Sequence, residues 1–520
     1  MIFFVPTPIT RLAVKCDWCD GNDIKGGIIE KSLQQNSVGL AGLLAQSLGV
    51  ITPELGAVAF ASGVATQVGV GTPGAFVVAL IGTAALVAIV ANLARRVPHA
   101  GGLYAIVRGA LGADAGFLAG WTMLALAMIF VPGFIVIAAA LIQTFVGMVA
   151  PDAGLLASHW LPWAVLIFVI VFGLVLVGVR ISAAALLSLT AIGMISLLIL
   201  DVAILGKGGA SGLLWSSLLP WSGAGVKWDQ VALGVGVAVT GLAGAEAAVF
   251  LTEEARLPHE LVPRAVNGSL LIAGAFMVLT TFAIVSGYGE QGAVKSWPSD
   301  GSVAVVVLSS RYLSVKFGEF LLLVLAMAGL TAAMGNANSC TRLLFSWGRE
   351  GYLPESLGRT HPKFKTPHVA VYLLASVSAA IIVIGAIWQG ASAEGAFTYF
   401  YWLAIAGTVG LLAVYGAVAV AGLVQSLKDG MAVWRAVMLP GVALLVLGTA
   451  LVTQFYPAPA PPLSSAPYAL VAWIIAGIVL RVATRAQMAA RERGAYAPRI
   501  AEATVSKVST KLGTPGRQHM

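Results

Sequence analysis

The sequence predicts an all-α polytopic membrane protein of about twelve transmembrane helices, and three observations carry that reading. The chain of 520 residues is 59% hydrophobic, with a mean hydropathy of +0.92. Only 10% of it is charged, where a soluble protein carries roughly 25%. Apolar stretches of about 20 residues, enough to cross a hydrocarbon core of roughly 30 Å, recur along its length. The first and sixth of these stretches are interrupted by residues that weaken a helix. The formal charge of +8 comes from Lys and Arg spread among short loops and a tail, so membrane topology explains it and no nucleic-acid partner is expected.

In chain order, residues 1–36 mix charges with Gly and read as a cytoplasmic tail. They lack the basic start, apolar core and small-residue cleavage site of a removable signal peptide. Within them Cys16 and Cys19 form a lone CxxC, and Cys340 is the remaining cysteine. That set is too small for a disulfide framework and lacks the second pair of a zinc site, so neither cofactor nor metal is expected. Span 1, residues 37–68, is overlong and interrupted by GVITPELG at 49–56. Pro53 removes a backbone donor and disfavours helix at Thr52, so two half-helices are predicted. Spans 2 to 5 follow at 74–94, 116–146, 161–179 and 183–205, with an inner-face segment after span 2. Residues 37–205 form the first repeat, and 206–230 an extracellular loop.

Span 6, residues 231–253, reads VALGVGVAVTGLAGAEAAVFLTE. It carries Gly241 and Gly244 in its middle, Glu246 just beyond, and Glu253 and Glu254 at its end. Spans 7 to 10 are read at 265–286, 320–347, 369–388 and 397–423, with a packed outer helix at 302–313. Residues 231–424 form the second repeat. Spans 11 and 12, at 437–455 and 468–482, lie within a C-terminal pair covering 437–482, and 486–520 is a cytoplasmic tail. Loop charge tests the count. Arg95, Arg96, Arg256, Arg264, Arg342, Arg349 and their neighbours fall on one side, while Lys207, Lys227, Lys295, Arg311 and Lys316 fall on the other. The positive-inside rule then places both termini in the cytoplasm of a cell-membrane protein.

Broken helices at corresponding positions, five spans apart, point to an inverted-repeat transporter with its site where the breaks meet. A half-helix N-terminus offers unpaired N–H groups to a carboxylate, and the preceding half offers carbonyls to an ammonium. The predicted solute cradle is therefore Val50, Ile51, Thr52, Pro53, Glu54, Leu55 and Gly56 in span 1, with Thr240, Gly241, Leu242, Ala243 and Gly244 in span 6. A carboxylate at mid-depth is a functional candidate by default, and Glu246 and Glu253, seven residues apart on a helix, would share one face. They are the candidates for proton coupling or gating, with a structural brace as the alternative for Glu246. Glu54 is either protonated during transport, a partner for a cationic solute, or a helix cap.

Three segments carry a resemblance: ANLARRVPHAGGLY (91–104), GLAGAEAAVFLTEEARLPHELVPRA (241–265) and NSCTRLLFSWGREGYLPESLGRTHPKFKTP (338–367). They are similar to signature segments of the amino acid, polyamine and organocation transporter superfamily, and Tyr415 in span 10 fits as well. The resemblance implies a five-plus-five inverted repeat followed by two C-terminal helices, and an amino acid or related amine as solute. Where many relatives read Gly-Ser-Gly at the first break, this chain has Pro53, Glu54 and Leu55. No Walker A motif or nucleophile elbow occurs. The expectation is a non-enzymatic secondary permease for amino acids or amines, working by alternating access with proton coupling. The residues leave open an exchanger of amines, polyamines or amino acids, and a sensor that binds without transport.

Overall fold

The computed structural model describes residues 33, 35–96, 101–223, 225–456 and 460–483. The predicted N-terminal tail up to residue 32, with Cys16 and Cys19, and the tail at 486–520 lie outside the described residues. Among the described residues the chain is helical and has no β-strand beyond an isolated bridge between Val38 and Ala255. Among these described residues ten helical stretches are long and apolar enough to cross a membrane. The first, Leu40–Ala94, has 55 residues and turns at Gly69–Gly71, which makes it two crossings. Leu161–Val177, a shorter apolar helix of 17 residues, still reaches the lower limit of about 17 for a span.

Twelve crossings result: span 1 Leu40–Val68, span 2 Thr72–Ala94, span 3 Ala113–Val149, span 4 Leu161–Val177, span 5 Val179–Gly206 and span 6 Trp228–Glu254. Span 7 is Pro258–Lys295, span 8 Val315–Arg349, span 9 His368–Gln389, span 10 Ala393–Lys428, span 11 Val433–Val452 and span 12 Leu463–Ala483. The clearest departure from the sequence reading is span 7, which begins at Pro258 rather than near 265. Proline needs no N–H in a first turn, so the polar stretch HELVPR winds helically before the apolar run starts.

Span 3 packs along spans 8 and 10, and span 2 against span 7, while span 1 lies among spans 5, 7 and 8. Lipid gives helices no hydrophobic reason to associate, so close backbone approach through small residues does that work. Gly329 illustrates it: a Cβ there would fall 2.8 Å from the Ala138 Cβ and 3.1 Å from the Phe134 carbonyl. Spans 9, 11 and 12 form the rim, with Ile387, Leu445 and Val482 exposed as lipid-facing side chains are.

At one end of the bundle the charged residues meet. Arg342 pairs with Glu254, Arg349 with Glu253, Arg96 with Asp429 and Arg481 with Asp114. The Arg96 guanidinium and the Gln425 amide hold the Asp429 carboxyl below the usual carboxylate range. Arg108 on Leu103–Leu111 pairs with Glu350. The chain before span 1 joins the same face, since the amides of Ser37 and Val38 donate to the Glu254 carbonyl at 2.9 and 3.0 Å.

Candidate functional site

The first helix of span 1 stops at Ile51 because Thr52 is left-handed, at φ 46° and ψ 70°. Pro53 then starts a new turn, and having no N–H it leaves the Gly49 carbonyl without its helical donor. The Thr52 hydroxyl covers the Ile51 carbonyl at 2.8 Å. Beyond this turn the backbone widens into a π-helical stretch, Gly56–Phe60, before regular helix resumes at Ala61. Such a widened turn is rare and frequently sits at functional sites.

Span 6 breaks differently. Regular helix ends at Gly241, and Gly244 takes φ 116°, a conformation that glycine reaches without strain. From Ala245 to Glu254 the chain winds as a 3₁₀ helix, far longer than the 3–4 residues usual for that form. The tighter winding changes one expectation. Seven residues at about 120° each place Glu246 and Glu253 some 120° apart instead of on one face. Glu246 faces inward, while Glu253 turns to Arg349 at 2.6 Å.

The two breaks touch. A Cβ on Gly244 would lie 2.7 Å from the Val50 side chain and 3.0 Å from the Ile51 nitrogen. Ser47, fully buried, donates its hydroxyl to the Ala245 carbonyl at 2.7 Å and accepts the Ala248 N–H at 3.1 Å. One side chain of span 1 thus satisfies two backbone groups that the break in span 6 strands. The Gly244 N–H donates to Glu246 Oε2 and to the Tyr415 hydroxyl, each at 3.2 Å. The Gln46 amide donates to the Gly335 carbonyl at 2.8 Å and to Ser339 Oγ at 3.2 Å, tying span 1 to span 8.

A cavity opens where the breaks meet, with about 800 Å³ of space, part of it open to solvent. One wall is made by Val50, Ile51, Thr52, Thr240, Gly241, Ala243, Gly244 and Glu246. The other predicted residues lie elsewhere. Pro53, Glu54, Leu55, Gly56 and Leu242 are buried behind that wall, and Glu253 is at the charged end. The rest of the lining is largely apolar and includes Phe60, Met123, Leu126, Phe130, Phe134 and Leu411. Asn336 and Ser339 of span 8 add the polar side chains that the sequence reading missed. Their one visible signal is the polar cluster NANS, 336–339, that follows the apolar half of span 8.

Comparison with known proteins follows the same lines. A sequence profile described as amino acid permease matches residues 38–480. An uncharacterized transporter of Mycobacterium tuberculosis is 27% identical over 62% of this chain and 68% of its own length. The low-affinity putrescine importer PlaP of Escherichia coli is 23% identical over 59% of this chain and 66% of its own. The branched-chain amino acid permease BcaP of Bacillus subtilis is 26% identical over 61% of this chain and 68% of its own. The profile match runs from the entry of span 1 into span 12, so this chain belongs to the amino acid permease family and is a multi-pass membrane transporter rather than an enzyme.

Proposed function

We propose that the protein is a secondary transporter that moves a neutral amino acid with a bulky apolar side chain by alternating access. The observation that carries the reading is the lining of the cavity: broken backbone of spans 1 and 6 with one carboxylate, and otherwise mostly aliphatic and aromatic side chains. The broken backbone of spans 1 and 6 that lines the cavity suits a zwitterion, since helix ends offer carbonyls to an ammonium and N–H groups to a carboxylate. The apolar lining suits a leucine-like or aromatic side chain, whose burial is worth about 1.5–3 kcal/mol.

Two relatives point to different solutes, a diamine for PlaP and branched-chain amino acids for BcaP. A diamine brings two ammonium groups, and burying an unpaired charge costs far more than apolar contact returns. Among the described residues Glu246 is the one carboxylate lining the cavity, and it is already engaged by Gly244 and Tyr415. That favours the monoamine zwitterion. The bond from the Gly244 amide supports the structural alternative foreseen for Glu246, a carboxylate that braces the unwound backbone of the break, over coupling or gating. The pair Glu253–Arg349 at the charged end fits a gate that parts when spans 6 and 8 separate. By the positive-inside rule that end faces the cytoplasm, with both termini on that side of the cell membrane.

A thermal-shift screen of the detergent-purified protein tests the solute class, since a ligand that binds the folded state stabilises it by mass action. Stabilisation by leucine, isoleucine or phenylalanine but not by putrescine is expected. Stabilisation by putrescine or cadaverine alone would move the assignment to amine transport.

A further inference from the structure

Glu54 is a buried carboxyl that the solute cavity does not use. It is 1% exposed, and neither oxygen meets a hydrogen-bond partner beyond its own residue. The left-handed turn at Thr52 carries it behind the cavity wall and onto span 5. There Gly193 receives it: a Cβ at that position would fall 2.4 Å from Glu54 Oε1 and 2.9 Å from its Cγ and Cδ. The missing side chain of Gly193 is the recess that holds the carboxyl. Thr190, one turn earlier on the same face of span 5, is also buried with an unpartnered hydroxyl.

The other buried carboxyls are partnered: Glu254 by Arg342, Glu246 by Gly244, and Asp201 by the Thr280 hydroxyl at 2.6 Å. Among the described side chains, the elements packed against Glu54 bring no charge to it. On span 5 the described titratable side chain is Asp201, two turns beyond Gly193. Span 7 carries His259, Glu260 and Arg264 near one end and Tyr288, Glu290 and Lys295 near the other. Span 8 carries Lys316 and Glu319 at one end and Cys340, Arg342 and Arg349 toward the other, and the π-helical stretch Gly56–Phe60 carries none. None of these pairs with Glu54. An ionised carboxylate enclosed in this way is strongly disfavoured, whereas a protonated one is an ordinary neutral group.

We propose that Glu54 is a proton-binding site separate from the solute site, and that it couples transport to a proton gradient. Proton and solute then occupy opposite sides of one broken helix, so a movement of the break governs both. In the closed arrangement Glu54 holds its proton against Gly193. When span 1 moves away from span 5 and water enters from the inner side, the carboxyl O–H bond breaks and the proton passes to that water; on the return step the carboxylate keeps water beside it instead of closing dry onto Gly193, and it takes a proton from water on the outer side. The inference rests on the transporter reading.

The test uses the full-length protein in liposomes with radiolabelled leucine as probe, read in two ways. Counterflow against internal unlabelled leucine at equal pH reports solute movement alone. Uptake driven by an inside-alkaline gradient of about one pH unit reports coupling, since one proton per solute sustains up to about tenfold accumulation. Wild type is expected to show both. Glu54→Gln keeps the shape of the protonated carboxyl, and it is expected to retain counterflow while its gradient-driven accumulation falls to the level seen with a protonophore. Gly193→Ala, which must displace the flexible carboxyl end, is expected to retain counterflow and shift the pH midpoint of driven uptake. Driven accumulation by Glu54→Gln equal to wild type would overturn the proposal, as would wild-type counterflow with no response to the gradient. Loss of counterflow in Glu54→Gln together with an unshifted Gly193→Ala would do the same. Wild-type protein that neither binds nor exchanges any amino acid would remove the transport reading first.

Discussion

Arg342 and Glu254 join spans 8 and 6 through a pair that solvent hardly reaches, with side chains 2% and 3% exposed. The contact is bidentate, Nε to Oε2 at 2.8 Å and Nη2 to Oε1 at 3.2 Å, and Nη1 also donates to the Asn338 carbonyl at 2.9 Å. Replacing one partner leaves the other charge buried, which costs about 3–5 kcal/mol. Arg342→Met is therefore expected to destabilise by that amount. The double variant Arg342→Met/Glu254→Leu should recover most of the loss, because removing both charges of a buried pair is often near neutral. The Arg349–Glu253 pair lies on the same face but is 24% and 21% exposed, so solvent screens it more and Arg349→Met should cost less than Arg342→Met. Urea or thermal unfolding in detergent, followed by tryptophan fluorescence, measures all three. Equal costs for Arg342→Met and Arg349→Met, or a double variant worse than either single one, would refute the account of this end of the bundle.

Three further outcomes follow from the site and one from the charged end. Ser47→Ala strands the Ala248 N–H and the Ala245 carbonyl, so a loss of about 1–3 kcal/mol in stability is expected, with weaker leucine binding by thermal shift; an unchanged protein would mean the breaks do not depend on that bridge. Gly244→Ala must hold φ 116° with a Cβ 2.7 Å from Val50, and loss of leucine counterflow with helical circular dichroism retained is expected. Phe134→Ala opens the apolar lining and should move selectivity from leucine toward phenylalanine by on the order of 1–3 kcal/mol, read from competition in counterflow. The Arg96–Asp429 pair gives a pH test. Because the folded Asp429 carboxyl is held below its ordinary value, its contribution is present above the unfolded value and is lost as pH falls through the folded one. Arg96→Gln should flatten that acid-side loss in unfolding curves taken from pH 6 to pH 3.

The membrane architecture was legible because length and apolarity are local properties. Even the two breaks were visible, as Pro53 and the pair Gly241 and Gly244. Which side chains the breaks aim at the cavity was not legible. A single left-handed residue, Thr52, resets the direction of everything after it, so Glu54 faces span 5 although Val50, Ile51 and Thr52 line the solute wall. Likewise the 3₁₀ winding after Gly244 separates Glu246 from Glu253, and no residue between them advertises that pitch. Ser47, Asn336 and Ser339 escaped notice because a small polar residue in a membrane helix most often bonds to its own backbone, as Asn336 and Ser339 also do here. Their roles follow from which helices become neighbours, and that is a property of the assembled bundle.

The central claim is that the cavity at the paired breaks carries a bulky neutral amino acid across the membrane. Counterflow of radiolabelled leucine in liposomes, with excess unlabelled isoleucine or putrescine as competitor, tests it most directly. The account predicts accumulation of label against internal leucine, abolished by isoleucine and untouched by putrescine. Counterflow abolished by putrescine and indifferent to isoleucine would contradict it.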